Sequence, residues 1–168
     1  MSAVSAPIRT PVRRPSGEGL APYAWVEGPL ITLHVAYHGT LQDSPIRSSR
    51  DAASYVEPYL LQSDRELMLM VPLNTRHKPL GVHVVSIGSL SQSIVHPREV
   101  FKAAICVNAA AIILAHNHPG GDPEPSDEDK TLTQRLQSAG GILGIRLLDH
   151  LILVDSGRWF SFADQGLL

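Results

Sequence analysis

Ala111-Ile112-Ile113-Leu114-Ala115-His116-Asn117-His118-Pro119-Gly120-Gly121-Asp122-Pro123-Glu124-Pro125-Ser126-Asp127-Glu128-Asp129 is the stretch on which a reading of this chain turns. The segment from Ala110 to Ala115 is short, apolar and ends at two histidines, which reads as a strand, although its alanines would also suit a helix. From Ser126 to about Ala139 the pattern predicts a helix. Between the two lies a Pro/Gly-rich loop: Pro119 stops the strand and Gly120-Gly121 lets the chain turn sharply.

His116 and His118 are spaced for a strand end. Residues i and i+2 of a strand point to one face with Cα atoms about 6.5 Å apart, so two imidazoles there can converge on one ion. On a helix the same spacing would diverge, and chelation would prefer i and i+4. Asp129 is a third candidate ligand, sharing a helix face with Ser126. Two histidines, an aspartate and a water make a four-coordinate site with one exchangeable position, the arrangement of catalytic zinc. Iron, manganese and nickel accept the same donors. Each half also has a plainer reading. Ser126-x-x-Asp129 is a helix capping pattern, and His-x-His alone is commonly surface histidine. The conjunction of both halves across one loop favours the metal site.

Working outward, residues 1–28 carry Pro7, Pro11, Pro15 and Pro22 with little periodicity and read as a flexible tail, followed by one domain over 29–168. Arg9, Arg13 and Arg14 could meet an acidic partner, and Tyr23 and Trp25 could dock the tail, but a solvated tail is the simpler expectation. Leu30 to Tyr37 reads as a strand. Ser49 can cap a helix with apolar Ala52, Val56, Tyr59 and Leu60, kinked or shortened by Pro58. Leu67 to Val71 is apolar at every residue and reads as a strand buried on both faces. Val82 to Ile87 returns from the turn Asn74 to Pro79 as its hairpin partner. Pro97 opens a helix to about Ala109, with Cys106 as a small core residue. Gly140-Gly141 suits a helix C-cap, Leu143 to Leu148 and Leu151 to Val154 read as strands, and Trp159 to Phe162 as a last short one. Asp149-His150 falls at the junction of two strands. It reads as a polar pair there, the other possibility being a partner that orients a ligand histidine. His34, His38, His77, His83 and His96 show no mutual ligand spacing. Strands alternating with helices, one hairpin included, imply an α/β fold with a mixed sheet covered by helices.

Composition narrows the function. Of 168 residues, 43% are hydrophobic and 18% charged, an ordinary globular balance. A formal net charge of −2 gives no electrostatic case for nucleic acid or an anionic membrane. The single cysteine excludes an internal disulfide and any thiolate-built zinc site within one chain, and makes a reducing, cytoplasmic setting the expectation. It also excludes the Pro-Cys-x-x-Cys signature of zinc deaminases. No apolar run approaches the about 20 residues of a membrane span, and residues 1–28 hold no apolar core of the kind a secretion signal requires, so none is expected.

The spacing His116-x-His118, seven residues, Ser126, two residues, Asp129 resembles the JAMM motif of JAB/MPN-domain metalloproteins. The fuller string His-Asn-His-Pro-x-Gly-Asp-Pro-x-Pro-Ser, with His96-Pro97-Arg98-Glu99-Val100-Phe101-Lys102 before it, is similar to the RadC family in particular, over about Ser48 to Phe162. The resemblance implies a three-layer α/β/α JAB fold with cytidine deaminase-like architecture. It implies zinc as cofactor, His116, His118 and Asp129 as its ligands, and Ser126 as the residue that helps hold the reacting oxyanion. It also implies a glutamate just before the strand that follows the first helix. Glu66 stands in that place, and Glu99, in the first turn of a helix, is the rival. The Gly-x-Leu-x-Gly that follows the glutamate in many deubiquitinating relatives is missing, which argues against ubiquitin-like substrates.

The function so implied is metal-assisted hydrolysis of a peptide or isopeptide bond, with Glu66 as the base and Ser126 as the oxyanion donor. Two other readings stand beside it. RadC proteins are traditionally labelled a DNA-repair family, and longer members carry an N-terminal helix-hairpin-helix region. The chain is expected to be a short form without that region, and no basic stripe indicates direct DNA binding. The third reading is a non-catalytic zinc-bearing interaction module. The substrate and the oligomeric state are not legible in the sequence.

Overall fold

Strands that are apolar on every residue need cover on both faces, and the architecture supplies it. The structure, a computed structural model, describes backbone strands at 10–13 and 23–26 and residues 44–168 apart from 62, 64, 89–94 and 156. The chain divides into two compact units, 1–34 and 35–168. In the first, β1 (Thr10–Arg13) pairs antiparallel with β2 (Tyr23–Val26). The segment read as a tail therefore contains a short antiparallel strand pair, in which Thr10, Val12, Tyr23, Trp25 and Val26 are of strand-favouring types. The strand expected at 30–37 lies outside the described residues.

The second unit is organised by β5 (Ala111–Asn117). It lies between β3 (Leu67–Leu73), antiparallel to it, and β6 (Arg146–Leu153), parallel to it. β4 (His83–Ile87) pairs antiparallel with β3 at one edge, and β7 (Trp159–Ser161) pairs antiparallel with β6 at the other. Successive residues of a strand face opposite sides, and two separate cores follow. Met68, Met70, Ile112 and Leu114 pack with Val100, Phe101 and Ala104 of α2 (Pro97–Cys106) and Leu132 and Leu136 of α3 (Asp127–Leu143). Leu69, Val71, Leu73, Ile113 and Ala115 pack with Ala52, Ala53, Val56 and Leu60 of α1 (Ser49–Leu60) on the other face. The result is the expected three-layer α/β/α sandwich around a mixed sheet. Pro72 is tolerated inside β3 because its carbonyl, and with it the missing N–H, points away from β5 towards Leu80. Among the described residues no helix is long and apolar enough to cross a membrane.

Several element boundaries differ from expectation, each for a local reason. Ser48, not Ser49, caps α1, its hydroxyl accepting from the Asp51 N–H at 3.1 Å. Pro58 lies in the last turn of α1, which ends at Leu60. Helix α2 stops at Cys106 because Asn108 takes a left-handed conformation (φ 53°), and Cys106 is half-buried rather than core. Helix α3 runs through Gly140-Gly141 and is capped by Gly144 at φ 70°, so Leu143 is helical. The two expected strands are one, β6, with Asp149 and His150 in its interior.

The glycine pair inside α3 has unequal duties. A Cβ on Gly140 would clash with the backbone carbonyl of Ile145 and come within 3.3 Å of the Phe101 ring, whereas one on Gly141 would meet nothing within 4 Å. Gly140→Ala is therefore expected to destabilise the protein by about 1–3 kcal/mol, the usual cost of overpacking. Gly141→Ala should stabilise it by about 0.5–1 kcal/mol, as alanine does in an open helix position. Urea unfolding of both variants checks this, and shifts of the same sign would show that the close approach at Gly140 is not rigid.

Candidate metal centre

The centre forms where β5 runs out. His116 continues the face of Ile112 and Leu114 and looks towards α3, while Asn117 alternates to the other face. Asn117 is buried and clamps the start of β3: its amide donates to the Arg65 carbonyl at 3.0 Å and its Oδ1 accepts from the Leu67 N–H at 2.7 Å. The clamp brackets Glu66. The register pairs Met68 with His116, so Glu66, two residues earlier on an antiparallel neighbour, comes opposite His118. The His118 N–H donates to the Leu153 carbonyl, extending the β5–β6 pairing to the second histidine. Beyond it the loop folds back. His118 Nδ1 lies 2.8 Å from the Asp122 carbonyl, and Arg158 donates to the Gly121 carbonyl at 2.9 Å.

Helix α3 brings Asp129 from the opposite side through a capping box. Ser126 is the N-cap; its hydroxyl accepts from the Asp129 N–H at 3.1 Å and donates to Asp129 Oδ2 at 2.6 Å, and its own N–H donates to the same oxygen at 2.9 Å. One carboxylate oxygen is thus fully used. The other, Oδ1, is buried without any hydrogen bond and lies 3.2 Å from His116 Nε2. His118 Nε2 is 3.0 Å from His116 Nε2 and 3.6 Å from Asp129 Oδ2. Among the described residues, His116, His118 and Asp129 form the one group whose ligand atoms converge for a metal ion.

These contacts test whether the donor set fits a metal. The His118 Nδ1 proton is committed to the Asp122 carbonyl, an acceptor only, which leaves Nε2 to bind a cation. Tetrahedral zinc with bonds near 2.0–2.2 Å separates its ligand atoms by about 3.4 Å; His116 Nε2 lies 3.0 Å from His118 Nε2 and 3.2 Å from Asp129 Oδ1, a little under that value, and one ligand atom from each residue lies within 4.8 Å of the others. An orphaned carboxylate oxygen facing His116 Nε2, with His118 Nε2 beside it, is what a cation would complete.

The electrostatics agree. Burial lowers the His116 pKa to about 4, against the opposing pull of Asp129, so this fully buried ring is neutral. His118 moves the other way, raised chiefly by its contact with Asp129, with Glu66 contributing. Burial pushes the Asp129 carboxyl up, but His118, His116 and Ser126 outweigh it and hold the group well below the usual carboxylate range. Asp129 is therefore ionised and its negative charge is available to a metal.

The structure brings together every expected ligand and adds two residues. His150, read as a polar pair with Asp149 at a strand junction, sits fully buried inside β6 with Nε2 2.9 Å from His116 Nδ1. Its role as a partner of a ligand histidine, the second of the two readings, is the one its position matches. Its neighbour Asp149 accepts instead from Ser161 and Ala163. Thr133, not singled out in the sequence, lies 2.7 Å from His150 Nδ1 and donates to the Asp129 carbonyl. The available signal was a threonine one helical turn after the candidate ligand Asp129, on the face of α3 that turns inward. The rival carboxylate Glu99 is occupied on the surface by Lys102 at 2.7 Å and Arg98 at 3.3 Å.

Residues 46–167 match the family model described as RadC-like JAB domain. A UPF0758 protein of Moorella thermoacetica is 47% identical over 94% of this chain and 68% of its own length. One from Desulfitobacterium hafniense is 49% identical over 73% of this chain and 54% of its own, and one from Methanosarcina mazei 45% identical over 73% and 53%. For those two, the chain spans about half the length of the relative. With its three-layer mixed sheet and its converging His-His-Asp group, the chain belongs to the RadC family of JAB domains.

Proposed function

We propose that this chain is a zinc-dependent hydrolase of peptide or isopeptide bonds, with the ion held by His116, His118 and Asp129. The observation that carries the reading is the buried, unpartnered Asp129 Oδ1, 3.2 Å from His116 Nε2, with His118 Nε2 beside that nitrogen at 3.0 Å. An unpaired buried oxygen costs about 1–3 kcal/mol, and a cation among the three donors removes that cost. Two histidines and one carboxylate leave a fourth position open on zinc, as catalytic sites require. When bound, zinc supplies Lewis acidity, lowering the pKa of water towards about 7 and polarising a carbonyl.

The chain's own groups do the rest. Glu66, placed opposite His118 and flanked by the Asn117 clamp, takes a proton from the attacking water and delivers it to the leaving amine, a role worth about 10²–10⁴ in rate. Ser126, at the N-terminus of α3, is the donor to the developing oxyanion, worth about 10²–10³. Its proton rests on Asp129 Oδ2 beforehand and turns to the substrate oxygen as negative charge develops there. His116 stays neutral throughout because its ring is wholly buried.

Two experiments test this. Protein incubated with zinc and desalted is expected to hold near-stoichiometric metal by elemental analysis, and His118→Ala and Asp129→Ala to lose it; a wild type that retains no zinc, iron, manganese or nickel overturns the reading. Glu66→Gln is expected to keep the metal while losing about 10²–10⁴ of the rate on any peptide or isopeptide that the wild type cleaves. Full activity in that variant would reject Glu66 as the base. A loaded wild type that cleaves nothing in a broad substrate screen would favour the non-catalytic module instead.

A further inference from the structure

We propose that His150 and Thr133 are positioning residues: a one-way hydrogen-bond relay from the Asp129 carbonyl through Thr133 and His150 fixes the tautomer of His116 and presents its bare Nε2 to the metal. The proposal rests on the metal-centre reading above and extends it to residues outside the ligand set.

The direction of the relay follows from counting protons. The Asp129 carbonyl cannot donate, so its short contact with Thr133 Oγ1 uses the single threonine proton. Thr133 Oγ1 then has only lone pairs left for His150 Nδ1, 2.7 Å away, and the imidazole must donate across that contact. His150 is fully buried, and among the described residues its ring nitrogens meet His116 and Thr133 rather than a carboxylate oxygen, so it is neutral and carries one proton. With Nδ1 protonated, His150 Nε2 is an acceptor. It lies 2.9 Å from His116 Nδ1, which must therefore donate. Asp129 Oδ1 receives no hydrogen bond, so His116 Nε2 sends it no proton and is left bare. That nitrogen is the atom that faces Asp129 Oδ1 at 3.2 Å. Reversing any one link would leave two lone pairs, or two protons, facing each other inside a closed contact.

The relay is closed and held in plane. It begins at the carbonyl of Asp129, whose side chain is itself a ligand, and it ends at the ligand His116. Phe162 stacks on the His150 ring at 4.8 Å with an 11° tilt, and the Phe162 N–H donates to the His150 carbonyl. The ring can therefore neither flip nor swing without breaking contacts to β5, α3 and the segment after β7. His118 gains the same tautomer by a different device, the Asp122 carbonyl. Outer partners of this kind affect metal affinity by about 10–100-fold.

Thr133 is the link to test, because valine keeps its shape and removes only the hydroxyl. In the zinc-loaded wild type, long-range imidazole ¹⁵N–¹H correlation spectra should show Nδ1–H on both His116 and His150. Thr133→Val should weaken zinc about 10–100-fold in a chelator competition and shift the visible bands of the cobalt form, while Thr133→Ser should restore both. An Nε2–H tautomer on His150, or wild-type affinity and spectrum in Thr133→Val, overturns the relay while leaving the metal centre intact. A wild type that binds no metal overturns both. The wild-type tautomer measurement stands even if Thr133→Val fails to fold.

Discussion

His116 Nε2 and Asp129 Oδ1 are buried acceptor atoms held 3.2 Å apart, with His118 Nε2 3.0 Å from the first. Such a cluster is unfavourable unless a cation joins it, and much of the surrounding architecture serves to hold it closed. The β3–β5–β6 ladder fixes the two histidines, and the capping box of α3 fixes the aspartate. Neither half can relax away. The histidines are tied to a strand flanked on both sides, and a retreating Asp129 would give up its bonds to the Ser126 amide and hydroxyl.

The same ladder explains how residues distant in sequence meet. A single position in β5, Asn117, points away from the centre and yet organises it. By holding the carbonyl of Arg65 and the N–H of Leu67, it pins the residue between them opposite His118. On the other side, β6 runs parallel to β5 and carries His150 opposite Leu114, two residues before the first histidine on the same face, from where its ring meets His116 diagonally. The candidate ligands come from one contiguous segment, whereas Glu66 comes from just before β3 and His150 from β6. The sheet is thus a structural support and also the means by which the centre acquires groups the central segment lacks.

Legibility followed the range of the interactions. The two apolar strands, the hairpin, the capped third helix and the ligand spacing all rest on local patterning, and all could be read directly. The errors arose where distant atoms decide. Gly140-Gly141 looks like a helix end, but Gly140 is a glycine because the Ile145 carbonyl and Phe101 press on it, and the true left-handed cap is Gly144. Asp149-His150 looks like a break between strands because polar residues rarely occupy the interior of a strand buried on both faces. They are accepted there because each has partners, Ser161 and Ala163 for the acid, His116 and Thr133 for the imidazole. No local signal in β6 announces those partners.

Ser126-x-x-Asp129 posed a choice between helix cap and metal site, and the geometry is compatible with both at once. A capping box needs one acceptor oxygen at the third helical position; a carboxylate has two. Asp129 gives Oδ2 to the cap and keeps Oδ1 for the centre, so the cap is the device that aims the ligand. The helix N-terminus favours the ionised acid, which keeps the oxygen a donor to metal rather than a protonated bystander. Helix start and ligand are therefore one structural unit. This is why the pattern is equally consistent with either role when seen alone, and why only the two histidines across the loop show that the spare oxygen has somewhere to point.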